Sequence, residues 1–492
     1  MSKTLYQLFG SLCWLVVGMS CAFHSYQPAI TQIEVPAYRQ PDSLSMVKEG
    51  FTVAGIVWYD YYTDPQLAPL IDSALVRNHT LKSSLLQIQK AVSYYDKSLM
   101  SFFPSVTLSL YQNQKKERPP HVHYNEHGLG LALTNWEMDL WGKLSSKRKA
   151  AFESLLQDQA TMQGVRVKLI ADVATLYYRL VGLDEKLEAV QEIIVSNQTY
   201  LEEQEELLRQ VTRKDTSMII ATPGERSSAT LSRIHVAVEQ AKAELYRAKA
   251  ILPDIQSQLF ITENTLNLLL SRTEGEIRRA DLETVIHSRA LNDSIAIGIP
   301  ADLIQYRPDV MLAEAKVREA FHLQDVARSA LYPSLRLEVG LSTSENNVGS
   351  WSDFPTSVVY DLFAGLIQPI FNQGELRHAK RVKEIESQQR LVEFKQTVLA
   401  ACTEVSNTLM YYKMNYLRFV NLAQRYTALK NALSYSQQLY RERKASYLDV
   451  LAAQSQLLQI RLDLADAFIG YCTQRITLYK SLGGGISLAE NE

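Results

Sequence analysis

Beyond its N-terminus the sequence has no apolar run of eighteen residues, so a membrane-spanning helix has nowhere to sit in the body of the chain. Cysteine is scarce, four in 492 residues. Cys13 and Cys21 lie near the start and Cys402 and Cys472 fall in helical runs, so no disulfide framework is implied. Neither sign of charge is in excess. A net charge of −2 leaves no basic footprint for nucleic acid. No nucleophile–base pairing and no phosphate-cradling glycine loop stands out. The sequence therefore gives no reason to read an enzyme, a catalytic residue or a cofactor.

What is present is a stretch that occurs twice. Ser101-Phe102-Phe103-Pro104-Ser105-Val106-Thr107-Leu108 answers to Ala330-Leu331-Tyr332-Pro333-Ser334-Leu335-Arg336-Leu337, with the prolines 229 residues apart. The same offset places Ala91 on Ala320 and Asp96 on Asp325. Such spacing marks an internal two-fold repeat. Each proline stops a helix and opens a strand, since the residue before proline leaves the α region and a strand's first residue needs no ladder donor.

The N-terminus reads as a secretory signal over 1–20, with Lys3 followed by an apolar core. Gly18-Met19-Ser20-Cys21 resembles a bacterial lipobox, with Gly18 where leucine is usual, and makes Cys21 the candidate for acylation. Residues 21–63 carry Pro28, Pro36 and Pro41 with little periodicity and suit an extended tether.

The first repeat, 64–298, opens at Asp64-Pro65, a cap with proline at the first helical position. It predicts a helix to about residue 99 and a hairpin over about 104–138. Val106, Leu108 and Leu110 line one face of that hairpin, with Leu129, Leu131 and Leu133 opposite and a polar loop between from Lys115 to His127. A helix of about 70 residues follows, its seam running Leu169, Val173, Leu176, Leu180, Leu183, Leu187, Val190, Ile194 in steps of four and three. A return helix carries Pro253, where a kink is expected. The second repeat, 299–485, follows the same plan. Its hairpin covers about 333–371, and its long helix has the seam Val398, Cys402, Val405, Leu409, Tyr412, Tyr416, Phe419. A break near Lys444 leads to a last helix that ends on Gly483-Gly484-Gly485. Residues 486–492 form a tail.

One-sided apolar strands of about ten residues suit a bilayer. Unpaired edges are not tolerated in lipid, and four strands cannot close a barrel. Closure therefore needs several chains; two give eight strands and three give twelve.

With these motifs in order along nearly the whole chain, the sequence resembles the TolC-like outer-membrane efflux channels of Gram-negative bacteria. It is most similar to their lipoprotein branch serving multidrug (resistance-nodulation-division) pumps. The matching stretches include Asp64-Pro65-Gln66-Leu67, Glu137-Met138-Asp139-Leu140-Trp141-Gly142-Lys143, Arg307-Pro308-Asp309, Gln368-Pro369-Ile370-Phe371 and Ser446-Tyr447-Leu448-Asp449-Val450-Leu451. The resemblance implies an α+β membrane protein, a homotrimer with a twelve-stranded transmembrane β-barrel continued by a long α-helical coiled-coil tunnel in the periplasm. It implies a passive exit duct for small toxic compounds, partnered by a periplasmic adaptor and an inner-membrane pump. It also implies a lipid-anchored place in the outer membrane. The alternatives are a channel for a peptide or protein exporter, and a lipid-tethered periplasmic coiled-coil scaffold with no pore.

Family members close the tunnel at its periplasmic tip with rings of side chains. Leu448 matches a gate leucine, Asp449 a gate aspartate and Tyr440 a tyrosine that ties the helices shut. The second aspartate position is Ala452, the equivalent in the first half is Ala237, and Arg443 replaces a turn glycine. Three carboxylates about a narrow axis would favour cations; the alternative for Asp449 is a helix-start carboxylate. His121, His123 and His127 have metal-ligand spacing but fall in the polar loop and are read as surface. Cys402 is read as packed on its seam. Phe103, Trp136, Trp141, Tyr332 and Phe371 gather at one end of the strands, as an interfacial girdle or as packing where strand meets helix.

Overall fold

The structure is a computed structural model that describes residues 57–117, 122–218, 225–287, 306–345, 358–442 and 444–484. The signal segment, Cys21, residues 22–56 of the tether, His121, Arg443 and the tail lie outside the described residues; the described end of the expected extended tether instead holds a short helix, Trp58–Tyr61, with Trp58 and Tyr61 buried.

The described elements run α1 (Trp58–Tyr61), α2 (Ala68–Arg77), α3 (His79–Met100), β1 (Ser105–Glu117), β2 (Val122–Met138), α4 (Lys143–Met218), α5 (Glu225–Leu269) and α6 (Leu282–His287). They continue with α7 (Pro308–Ser329), β3 (Ser334–Glu345), β4 (Val358–Ile367), α8 (Glu375–Arg441) and α9 (Tyr447–Ser481). Two compact units result, one built around residues 100–150 and 316–392, the other around 151–315, 393–484 and the segment before residue 100.

The first unit contains a four-stranded antiparallel sheet in the order β1-β2-β3-β4. Its register aligns apolar residues into rows across all four strands: Val106–Leu133–Val339–Leu362 and Leu108–Leu131–Leu341–Tyr360. Six of these eight side chains are exposed, Leu108 at 66% and Leu362 at 72%, while Leu133 and Val339 on the two central strands are half-buried. The other face carries Thr107, Ala132, Gly340 and Asp361 in the intervening row. Between Leu133 and Trp136 the register shifts by one residue, a β-bulge. Odd-numbered residues of β2 line the apolar face before it; beyond it Trp136 and Met138 pair with Leu337 and Leu335.

The strands are longer than their apolar pattern. The expected polar loop from Lys115 to His127 is largely strand: pairing continues to Glu117↔Val122, with His123 opposite Lys116 and His127 opposite Gln112. Apolar alternation marks only the part of a strand with an apolar surrounding, while the ladder itself is held by backbone bonds that polar residues also make.

The turn from β2 into α4 explains the Glu137–Lys143 motif. Gly142 takes φ 68°, and Asp139 accepts from the backbone N–H groups of Leu144 and Ser145, both at 2.9 Å. Lys143 pairs with Glu137 at 2.9 Å. Trp141 Nε1 donates to the Pro333 carbonyl at 2.7 Å, and its ring lies 5.2 Å from that of Tyr332. Trp136 Nε1 donates to the Phe102 carbonyl at 3.0 Å. The indoles thus bond backbone where strands meet helices.

The two long helices, α4 with 76 residues and α8 with 67, have most of their length in the second unit and would each exceed ~100 Å if straight, at 1.5 Å per residue. The expected seams are inside: Val173, Leu180, Leu183 and Val190 on α4, and Val398, Cys402, Val405, Leu409 and Tyr412 on α8, are buried. Gly182 allows α4 to approach α9; a Cβ there would lie 2.5 Å from Ile469. The single helix expected from Pro65 to residue 99 is instead two. Asn78 interrupts it, with an extended ψ of 123°, and its Oδ1 accepts from the backbone of Thr80 and Leu81. A good N-cap restarts a helix more cheaply than asparagine continues one.

Candidate channel gate

The start of α9 is set by its own sequence. Ser446 is the N-cap: its Oγ accepts from the Leu448 N–H at 3.3 Å, while its own N–H donates to Asp449 Oδ2 at 2.9 Å. This is a capping box. At the end of α8, the N–H groups of Lys444 and Ala445 both reach the Leu439 carbonyl, and Lys444 pairs with Glu442 at 2.8 Å. The bond from Lys444 holds the Glu442 carboxyl below its ordinary value.

Behind the cap lies a cluster shared by four helices: Tyr200 of α4, Ala241 of α5, and Tyr447, Val450 and Leu451 of α9 are buried together, with Leu201, Leu433 and Tyr440 packed against them. Tyr200 and Tyr447 lie face to face, their planes 9° apart, and Tyr440 meets Tyr447 edge-on at 5.6 Å. Gln204 Nε2 donates to the Tyr440 hydroxyl at 3.4 Å. Gln454, buried on α9, donates to Ser196 Oγ at 3.0 Å and accepts from the Tyr447 hydroxyl at 3.4 Å. Burial pushes the Tyr200 and Tyr447 hydroxyls well above their ordinary range, and neighbouring Tyr440 adds to both shifts. The cluster is therefore held by aromatic packing and neutral hydrogen bonds. Further along, Arg461 of α9 bonds Glu185 at 2.9 Å and also pairs with Glu192, both on α4.

Tyr440 is thus placed inside this cluster, while Leu448 (41% exposed) and Asp449 stand outside it on the first turn of α9. Both roles weighed for Asp449 bear on one side chain: it closes the capping box and remains exposed. Ala452 is exposed one turn on, and Ala237 is half-buried on α5. Among the described residues no three His, Cys, Asp or Glu side chains gather as metal ligands. Sequence reasoning did not assign Tyr200, Gln204 or Gln454, because helix periodicity does not say which polar side chains meet across helices.

A second polar node was legible only as a motif. Arg307, 7% exposed, donates to both carboxylate oxygens of Asp309 (2.9 and 2.7 Å), to Glu404 of α8 at 2.7 Å and to the Ser481 carbonyl that ends α9 at 2.8 Å. Gly483, at φ 79°, follows; a Cβ there would sit 2.5 Å from the Tyr306 carbonyl oxygen. The Arg307-Pro308-Asp309 and glycine-run motifs are two sides of one contact.

An apolar face spread over four strands, open to its surroundings and joined in sequence to helices of 67 and 76 residues, is what an outer-membrane efflux protein requires. Residues 70–210 and 299–484 match the family described as outer membrane efflux protein. The chain belongs to that family. It is an efflux channel protein of the outer membrane. Cation efflux system protein CusC of Escherichia coli O6:H1 is 26% identical over 461 residues, covering 92% of this chain and 94% of that protein. The probable outer membrane lipoprotein SilC of Salmonella typhimurium is 25% identical over 456 residues, covering 90% and 92%. A crystal structure of CusC superposes with a TM-score of 0.76 at 23% identity, over 92% of this chain and 99% of that one.

Proposed function

We propose that three copies of this chain close a twelve-stranded barrel in the outer membrane and a shared helical tunnel in the periplasm. The assembly is a passive duct. A solute handed over by an inner-membrane pump, through a periplasmic adaptor, crosses both compartments without entering either. The observation that carries the reading is the sheet itself. It has an apolar face that is largely exposed and two edges, β1 and β4, without a strand partner among the described residues, which lipid does not tolerate. The two halves descend from one duplicated unit, and Cys21 carries the lipid anchor. Leu448 and Asp449 ring the tunnel tip, and Tyr440 with Gln204 and Tyr200 holds it shut. The cargo is small toxic compounds; inorganic cations are the second reading, favoured by the likeness to CusC.

Native mass of the detergent-extracted protein tests this first. Three copies, with gel mobility that changes on heating, are expected. A folded monomer would leave four strands unable to close and would sink the channel geometry.

A further inference from the structure

The sheet has one junction between its two hairpins inside the chain, where β2 ends beside the start of β3. There Trp141, in the turn from β2 to α4, lies on Tyr332, the residue before Pro333, and bonds the Pro333 carbonyl. Both rings are half-buried.

The second half repeats both partners of this contact. The turn from β4 into α8 also carries an aromatic, Phe371, and each turn closes on a glycine with positive φ, Gly142 at 68° and Gly374 at 83°; Trp141 directly precedes its glycine, whereas Phe371 lies three residues before its own. The first half carries Phe103 before Pro104 where the second carries Tyr332 before Pro333. Neither repeated aromatic has its counterpart's cover: Phe371 is 85% exposed, Ile370 98% and Phe103 67%. They flank the two free edges of the sheet, and β4 runs opposite to β1, so β4 of one copy can pair with β1 of the next in the antiparallel sense used throughout the sheet.

We infer that Phe371 of one copy packs on the Phe103–Pro104 turn of the next, reproducing between chains the Trp141–Tyr332 contact made within each chain. The occupant of this exposed patch is a second copy of the same chain. The contact is head-to-tail and involves different residues on its two sides, so it propagates around a ring and is satisfied only when the ring closes. The inference rests on the multi-copy barrel proposed above and adds which side chains meet at its seams. It also takes Phe371 and Phe103 out of the lipid, since each ring is covered by its neighbour.

The test is the full-length Phe103→Cys/Phe371→Cys variant, extracted in detergent and treated with an oxidant or a short bismaleimide. Its native thiols Cys402 and Cys472 are buried. Expected are covalent dimers and trimers with nothing larger and loss of most of the monomer band, while each single-cysteine variant stays monomeric on a denaturing gel. Native mass on the same sample separates the two ideas. Three copies without 103–371 linkage, or linkage within one chain, overturn the seam assignment and leave the trimer standing; a monomer overturns both. If the double variant does not assemble, Phe371→Trp in vesicles of brominated lipid decides. Its added emission should be quenched far less than that of Leu362→Trp, and equal quenching places position 371 in lipid and refutes the contact.

Discussion

Leu108 and Thr107 are neighbours on β1 and point to opposite faces of the sheet. Leu108 belongs to the apolar row Leu108–Leu131–Leu341–Tyr360, and Thr107 to the row of Ala132, Gly340 and Asp361. Both positions face open space in the isolated chain; Leu108 is 66% exposed. In an ordinary water-soluble α+β domain, arginine at an exposed site costs within about 0.5 kcal/mol. On the lipid face of a barrel near the bilayer midplane, arginine costs about 2–4 kcal/mol. That is roughly a thirty- to seven-hundred-fold shift in the folding equilibrium per chain. Three copies would place three such charges in the membrane. Leu108→Arg should therefore sharply lower the urea midpoint of vesicle-inserted protein, and Thr107→Arg should leave it near the wild-type value. Equal behaviour of the two variants, whether both mild or both severe, would refute the assignment of one face to lipid and the other to a water-filled lumen.

Two other expectations can be checked on purified protein. Arg307→Ala leaves the half-exposed Asp309 and Glu404 carboxylates and the Ser481 carbonyl without their partner, and should cost about 1–3 kcal/mol in thermal or denaturant unfolding. Burial alone would raise the Asp309 carboxyl, but the Arg307 guanidinium holds it below its ordinary value. The stability that this pair contributes is therefore present at neutral pH and lost only as pH falls below the ordinary carboxylate range, and Arg307→Ala should flatten that acid limb. At the tip, Asp449→Ala removes a carboxylate and a cap together, whereas Ser446→Ala removes only the cap, worth about 1 kcal/mol. If Asp449 acts as a gate charge, cation block in planar-bilayer recordings changes with Asp449→Ala and not with Ser446→Ala; matching effects would reduce Asp449 to a capping residue.

Much of the secondary structure was legible. Strands β1 and β3 begin one residue after Pro104 and Pro333, and α8, Glu375–Arg441, carries the expected seam as one unbroken helix. Proline, glycine and a four–three seam are local signals, and long elements repeat them many times. What failed was equally physical. Asn78 lies inside an apolar stripe that suits one continuous helix, and only its side-chain cap shows that there are two. The polar ends of the strands carry no alternation to read. Of the candidate gate residues, Tyr440, Leu448 and Asp449 were named through family resemblance, not pattern. Gln204 and Gln454 could not be, because a glutamine that bonds across helices looks like one that faces water until the register between helices is known.

The bulge in β2 makes the sheet sensitive to the parity of chain length. One extra residue opposite Glu338 hands the apolar face from odd to even numbers, which brings Trp136 and Met138 to the apolar side and places Glu137 opposite Arg336 in the ladder. Deleting Asn135 would shorten the chain by less than one per cent, yet it would exchange the two environments for every residue on one flank of the strand. Loops elsewhere in such a chain can gain or lose residues singly during evolution. Within this strand length changes should be tolerated in pairs, and sequences that lack the bulge should carry a compensating shift in which positions are charged.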